Sequence, residues 1–354
     1  MKLCLFKKFF YKAMSKKELM KEALFYKKTG SNKVKCGLCH QNCTINDKAY
    51  GFCLARINEK GILYSEVYGK LSAVNIDPIE KKPLYHFYPG TTAFSIGTCG
   101  CNFKCSFCQN YEISQTSTKN YPYIAEMTPE QVVKQAIKNK CKSIAYTYNE
   151  PTINYEFAIE TAELAQKKGL KNVFVTNGYI KKKPLKKISH CLDAANIDLK
   201  SSSPEFYKKN CKADLKKVFK TIKLYHELKI HTELTTLIIP GENDAKKDIE
   251  KLCDWIVDNL GRNVPMHFSR FRQCYKMNNK KPTPADKILM AVQTAKDKGI
   301  KFVYAGNISL DGLENTYCPK CGNTAIVRKN YCTIMPGLRG GSCRECGEKI
   351  LQYY

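Results

Sequence analysis

Three cysteines, Cys101, Cys105 and Cys108, fall within eight residues in GTCGCNFKCSFCQN, at a C-x3-C-x2-C spacing. Three thiolates leave a tetrahedral zinc ion one ligand short, and no histidine lies in the segment. They suit a [4Fe–4S] cluster with three irons held and the fourth open to another ligand. A second set, Cys318, Cys321, Cys343 and Cys346, forms two C-x2-C knuckles separated by 21 residues. Four soft ligands close a tetrahedron, and so short a segment has little core to fold around, so this reads as a zinc ribbon with Cys332 as a spare ligand. A third set, Cys36, Cys39, Cys43 and Cys53, has the spacing C-x2-C-x3-C-x9-C. It can hold zinc or a second, closed iron–sulfur cluster. Spacing alone does not choose; a structural role is favoured, with zinc ahead of iron and His40 a bystander.

These groups take eleven of the 19 cysteines. Cys99 is read as a neighbour of the first set, because C-x-C with Cys101 breaks its register. The other cysteines are read mostly as small buried hydrophobes. C-x2-C pairs in a chain whose start, MKLCLFKKFF, is too broken by lysine for a secretory signal point to metal rather than disulfides.

Something must position these groups. Strand candidates at Ala93–Thr98, Ser143–Tyr148, Asn172–Thr176, Ala194–Leu199, His231–Ile239, Pro265–Phe271 and Phe302–Ala305 alternate with helical patterns such as TPEQVVKQAIKNK, with Thr128 as N-cap. Repeated β then α means a parallel sheet, with functional groups at the C-terminal strand ends. AANIDLK alternates strictly: Ala195, Ile197 and Leu199 should meet covering helices, while Asn196, Asp198 and Lys200 point inward. HTELTTLIIP puts Glu233 and Thr235 on one face, and PMHFSRFRQ does the same for His267 and Ser269. Upstream, GILYSEVYG reads as a short strand and DPIEKKPLYHFYPG as a connection without period. Residues 1–30 read as a basic amphipathic helical arm with Leu19, Met20, Ala23, Leu24 and Tyr26 on its apolar stripe. The divisions expected are 1–30 for the arm, 31–90 for a cysteine-rich module and connector, 91–312 for the barrel and 313–354 for the ribbon.

At 354 residues with 43% hydrophobic and 26% charged residues, a disordered or fibrous chain is excluded, and no apolar run is long enough to span a membrane. The formal charge of +27 comes from 59 Lys+Arg against 32 Asp+Glu, but only seven are arginines and the lysines are spread along the chain. A dedicated nucleic-acid site would concentrate such charge, so nucleic acid is not the expected partner. The expected location is cytoplasmic, with organellar import the lesser alternative because Glu18 and Glu22 do not suit a transit peptide.

The cysteine loop, with Phe107 before its last cysteine and placed after the first barrel strand, resembles that of the radical S-adenosylmethionine (SAM) enzymes. The resemblance implies a partial (βα)6-type α/β barrel in which the amino and carboxylate groups of SAM chelate the open iron. One electron from the cluster, supplied by a low-potential donor at about −400 mV or below, cleaves SAM to methionine and a 5′-deoxyadenosyl radical. Tyr148, Asn149, Glu150 and Pro151 then stand where the superfamily has Gly-Gly-Glu-Pro, making Asn149 and Glu150 candidates for the methionyl ammonium. Asn177 lies in the family's third-strand turn, Thr176-Asn177-Gly178, where Val175 replaces a frequent acid. Asp198 and Lys200, the latter toward the SAM carboxylate, follow from kinship with glycyl-radical activases, and His267 and Asn307 are placed near the adenosine. Over Cys36 to Cys346, CGLCHQNC, DPIEKKPLYHFYPG, CSFCQN, AYTYNEPT, HFSRFR and YAGN resemble the AmmeMemoRadiSam system radical SAM protein, with His40-Gln41 replacing that family's Pro-His pair. That implies a protein substrate, AMMECR- or Memo-like. The alternatives are a non-catalytic metal-binding adaptor, or a radical enzyme acting on nucleic acid or a small molecule.

Overall fold

The computed structural model describes residues 20–354. Its centre is an eight-stranded sheet. Strand β1 (Ala73–Pro78) pairs antiparallel with β2 (Thr92–Gly97), and the sheet continues in chain order through parallel β3 (Ser143–Tyr146), β4 (Lys171–Thr176), β5 (Ala194–Asp198), β6 (His231–Ile238), β7 (Met266–Arg270) and β8 (Val303–Gly306). Helices α1 (Pro129–Lys138), α2 (Tyr155–Lys167), α3 (Lys182–Ile188), α4 (Leu215–Glu227), α5 (Lys246–Leu260) and α6 (Ala285–Asp297) link the seven parallel strands. This is the expected βα alternation, ending on one further strand.

Local signals account for these elements. Thr128 Oγ1 accepts from Gln131 N at 3.2 Å and Gln131 Oε1 accepts from Thr128 N at 2.8 Å, a reciprocal cap that starts α1 ahead of Pro129. On β5, Ala195, Ile197 and Leu199 are fully buried in the helix–sheet core, whereas Asn196 donates to Pro83 O and accepts from Thr235 Oγ1 inside the sheet's concave face. Strand β1 was not foreseen. AVNIDP has one partner strand and an exposed Ile76, so it shows little periodic burial.

One end of the barrel is plugged. The aperiodic segment DPIEKKPLYHFYPG crosses beneath it, setting Ile79, Leu84 and Phe87 against Ala93, Ala145, Val173 and Ala194 near the strand starts, where small side chains leave room. The C-terminal tail covers this plug: Tyr85, Phe302 and Tyr304 pack with Ala325, Ile326, Leu338, Ile350 and Leu351. Arg328 donates to Tyr85 O at 2.7 Å and lies over its ring at 4.2 Å.

Ahead of β1 lies a module of short antiparallel strands, including Tyr26–Lys28, Val34–Cys36 and Thr44–Ile45, and Lys21–Glu22, Ile62–Ser65 and Arg56–Glu59. The helix expected over residues 1–30 is therefore corrected wherever it is described; residues 1–19 lie outside the described set. Phe25 sits at φ 58, and Tyr26–Lys28 pairs with Val34–Cys36 instead of continuing a helical stripe. The module is fixed to α2 by Arg56, whose guanidinium bonds both Glu156 oxygens at 2.7 Å with both side chains 1% exposed. Leu24 N donates to the same carboxylate. Among the described residues, no helix is long and apolar enough to cross a membrane.

Candidate functional site

The loops at the C-terminal strand ends surround a cleft of about 300 Å³. It is lined by Cys101, Cys105, Cys108 and Phe107 from the loop after β2, by Asn149 and Glu150 after β3, and by Asn177 after β4. Asp198 and Lys200 from β5, Thr235 and Leu237 from β6, Ser269 from β7 and Asn307 after β8 complete it. Residues following β2 and β8 share one cavity, so the sheet curls around it.

The loop carrying the three thiols is tightly held. Gly100 takes φ 90, and a Cβ there would lie 2.2 Å from Cys53 O. Lys104 N and Ser106 N donate to Cys211 O and Asn210 O, both at 3.0 Å. Cys108 Sγ is 3.1 Å from Ser114 Oγ, and Phe103 N donates to Cys101 Sγ at 3.3 Å. Burial, followed by the charge of Glu150, pushes the Cys101 thiol well up. Cys105 is raised first by a hydrogen bond with the Cys211 thiol and then by burial. Cys211 is fully buried behind Cys105 and does not line the cleft. Cys99 is also buried and away from it.

Glu150 is 1% exposed. Its Oε1 accepts from Thr152 N at 3.0 Å, Thr176 Oγ1 at 2.8 Å and Thr152 Oγ1, while Oε2 accepts only from Asn177 N at 2.8 Å. A carboxylate has about four acceptor sites, so Oε2 keeps capacity for another donor. Burial raises its pKa despite these bonds, which marks a carboxylate without a cationic partner of its own. The bulky residue before Asn149 does not spoil the turn: Tyr148 takes φ 69, the glycine-like conformation, and sends its hydroxyl to Asp77 on β1. Asn149 Nδ2 then reaches Gly100 O at 2.8 Å, tying this turn to the cysteine loop.

Lys200 Nζ bonds Asp198 Oδ2 at 2.9 Å and lies 5.6 Å from the Phe107 ring centroid. Although burial alone would lower its pKa, Asp198 and then Cys105 hold it well above the usual lysine range. Asn177 Nδ2 donates to Asn102 Oδ1 at 2.7 Å and lies 3.8 Å from Cys101 Sγ.

His267 is the exception among the candidates and is corrected here. It faces inward as its strand alternation requires, but it lies deeper than the cleft. Its Nε2 donates to Glu233 Oε2 at 2.7 Å, between the rings of Tyr85 and Tyr304. Glu233 Oε1 accepts from His231 Nε2 at 3.0 Å, and its two oxygens also take His86 N at 2.7 Å and Tyr85 N at 3.0 Å. Burial would raise Glu233, but His231 and His267 hold it well below the usual carboxylate range. His86, lowered to about 3 mainly by burial, accepts from Tyr304 OH at 2.6 Å. These groups belong to the plug.

Lys81 and Pro83 of the connector, and Gln109 and Asn110 beyond Cys108, line the cleft without having been singled out. The polar CQN continuation was the available signal for the latter pair. The connector has no local signal because the chain below it sets its path.

In the tail, Cys318, Cys321, Cys343 and Cys346 have sulfurs within 4.8 Å of one another, among them pairs at 3.5 and 3.6 Å. Each knuckle ends in a glycine at φ 74, Gly322 and Gly347, whose N–H returns to Cys318 O and Cys343 O. Tetrahedral zinc–thiolate bonds of about 2.3 Å put sulfurs about 3.8 Å apart, so the donor set fits one such ion. Cys332 is exposed and outside this group, so it is not a spare ligand. Among the described residues, this is the one set of three or more ligand atoms so gathered. The cleft thiols are not gathered that closely.

Residues 95–256 match the Radical SAM superfamily. The chain is 46% identical over 333 residues to the uncharacterised protein MJ0808 of Methanocaldococcus jannaschii, covering 94% of this chain and 99% of that one. It is also 27% identical over 218 residues to a putative glycyl-radical enzyme activating enzyme, MJ1632, of the same organism, covering 60% and 78%. To the (2S)-3-sulfopropanediol dehydratase activating enzyme of Klebsiella oxytoca it is 29% identical over 119 residues, covering 32% and 36%. The chain thus belongs to the radical SAM superfamily, with the mixed α/β fold and central parallel sheet of that class. It is a radical SAM enzyme with homologues among glycyl-radical activating enzymes, and membership implies a [4Fe–4S] cluster and SAM. The three cleft-lining thiols, without a fourth cysteine lining the cleft, fit that group.

Proposed function

We propose that the protein cleaves SAM reductively in this cleft and uses the resulting radical on a protein partner. The observation carrying this reading is the convergence of Cys101, Cys105 and Cys108 with Glu150 and Lys200 on one cavity. Cys101, Cys105 and Cys108 would hold the cluster, which supplies the electron that breaks the carbon–sulfonium bond of SAM.

The chain's own residues bind and orient. Glu150 Oε2 accepts from the methionyl ammonium, a charge-assisted bond strengthened by burial. Lys200 has two N–H groups beyond its bond to Asp198 and offers them to the methionyl carboxylate. Asn149 holds the Glu150 turn against the cysteine loop, Phe107 walls the cluster side, and Asn177, Asp198, Ser269 and Asn307 are placed for the nucleoside. His267 is omitted, since its ring is committed to the plug. The tail tetrad holds structural zinc at the end away from the cleft.

A protein substrate is favoured because three matched relatives are named as activating enzymes, and an AMMECR- or Memo-like protein is our specific proposal. A low-potential one-electron donor must supply the cluster. Anaerobically reconstituted, dithionite-reduced protein given SAM should form 5′-deoxyadenosine. A yield no greater than that of Cys105→Ala would count against the reading.

A further inference from the structure

Cys36, Cys39, Cys43 and Cys53 line one small cavity with Leu38, Ile45, Arg56 and Ile153. The backbone shapes this pocket: Cys36 N donates to Cys43 O at 2.9 Å, and Leu54 N to Gly51 O at 2.9 Å. A Cβ on Gly37 would lie 2.9 Å from Phe25 O, so the first knuckle is pressed against the bend that precedes the Tyr26–Lys28 strand.

All four cysteines are unpaired, and Cys36 and Cys53 are buried. No three of their sulfurs fall within 4.8 Å of one another, whereas the tail sulfurs all do. Two four-cysteine sets in one chain thus differ in how closely their sulfurs gather. Four thiolates spaced more widely than the ligands of one ion match a cubane, each on its own iron, and leave no iron open. Four thiolates in contact match a single ion.

The position is equally informative. Cys101 N donates to Cys53 O at 3.2 Å, so one hydrogen bond joins a residue of this set to a residue of the cleft set. Gln41 Nε2 donates to Asn102 O at 2.8 Å, and Asn102 lines this cavity while accepting from Asn177 of the cleft.

We infer that Cys36, Cys39, Cys43 and Cys53 hold a second, fully ligated [4Fe–4S] cluster, placed to exchange electrons with the cluster at Cys101, Cys105 and Cys108. In that exchange a low-potential one-electron donor of the ferredoxin or flavodoxin class reduces the N-terminal cluster. This cluster then loses one electron as the cleft cluster gains one, with no bond or proton changed. The exchange rests on the functional reading above; the identity of the metal does not.

Metal analysis of the anaerobically reconstituted full chain needs no variant: about eight irons and one zinc per chain are expected, and about four irons with two zincs would overturn the inference. The Cys101→Ser/Cys105→Ser/Cys108→Ser protein should keep about four irons with an electron paramagnetic resonance (EPR) signal insensitive to SAM; an iron-free protein would overturn it. A wild-type count of about four that survives this triple substitution would remove the cleft cluster and leave the N-terminal one standing. In reduced wild type, spin–spin broadening that disappears in Cys39→Ser/Cys43→Ser supports the exchange, and two magnetically isolated signals would contradict it.

Discussion

Glu150 and Glu233 are buried carboxylates near opposite ends of one barrel, and their partners give them opposite characters. Glu233 is surrounded by two histidines and two backbone N–H groups, which hold it ionised and complete its coordination. Glu150 has only neutral donors, keeps an acceptor site on Oε2, and has a raised pKa. Burial of an acid therefore does not identify a binding group. An acid buried without a cation is the better candidate, because the missing cation can be a ligand's.

The same contrast separates the closed end as a whole from the cleft end. Changes at the closed end should cost stability, and changes in the cleft should cost binding. The largest effect should come from the zinc proposed at the tail tetrad, since structural zinc provides an apparent ~10–16 kcal/mol toward folding. Cys343→Ser, or a zinc chelator, should unfold residues beyond Tyr317 in hydrogen exchange. Protection in β3 to β6 should fall far less, and equal loss in both regions would break the comparison.

Next in size is Glu233→Ala, which strands His231, His267 and two N–H groups. A loss of about 3–5 kcal/mol in chemical denaturation is expected. Glu150→Gln should retain the fold while losing a charge-assisted bond of about 1.5–3 kcal/mol, so SAM affinity should fall roughly 10- to 100-fold in equilibrium dialysis. A variant that bound SAM normally would remove Glu150 from the site.

The smallest effect is a pH signature of opposite sign. The depressed pKa of Glu233 gives stability that is present above its ordinary value of 4.5 and lost as pH falls below it. The raised pKa of Glu150 gives a contribution that declines as pH rises above 4.5. Glu233→Gln should flatten the acid limb of a denaturation–pH profile, whereas Glu150→Gln should remove a decline on the other side.

Strand periodicity and helix caps are local, so AANIDLK and Thr128 could be read without the fold. Depth along the barrel is not local. Alternation correctly turned His267 inward, but its height relative to the cleft depends on where Tyr85 and His86 cross beneath the sheet, well over a hundred residues earlier in the chain. The Lys21–Lys28 strands were hidden for a similar reason: a helical stripe is readable in one segment, while the pairing of Tyr26–Lys28 with Val34–Cys36 that overrides it is not. Cysteine spacing singled out three candidate ligand sets, but only the folded backbone shows that the tail sulfurs gather within 4.8 Å of one another while the other two sets do not.

The central claim is an open iron held by Cys101, Cys105 and Cys108, and the nearest competitor for it is the Cys211 thiol beside Cys105. EPR spectra of the reduced protein with and without SAM test this most directly, recorded for wild type and Cys211→Ala. The account predicts that SAM shifts the cleft-cluster signal in both proteins. A signal that ignores SAM in wild type and responds only once Cys211 is removed would contradict it, because the fourth position would then belong to the protein.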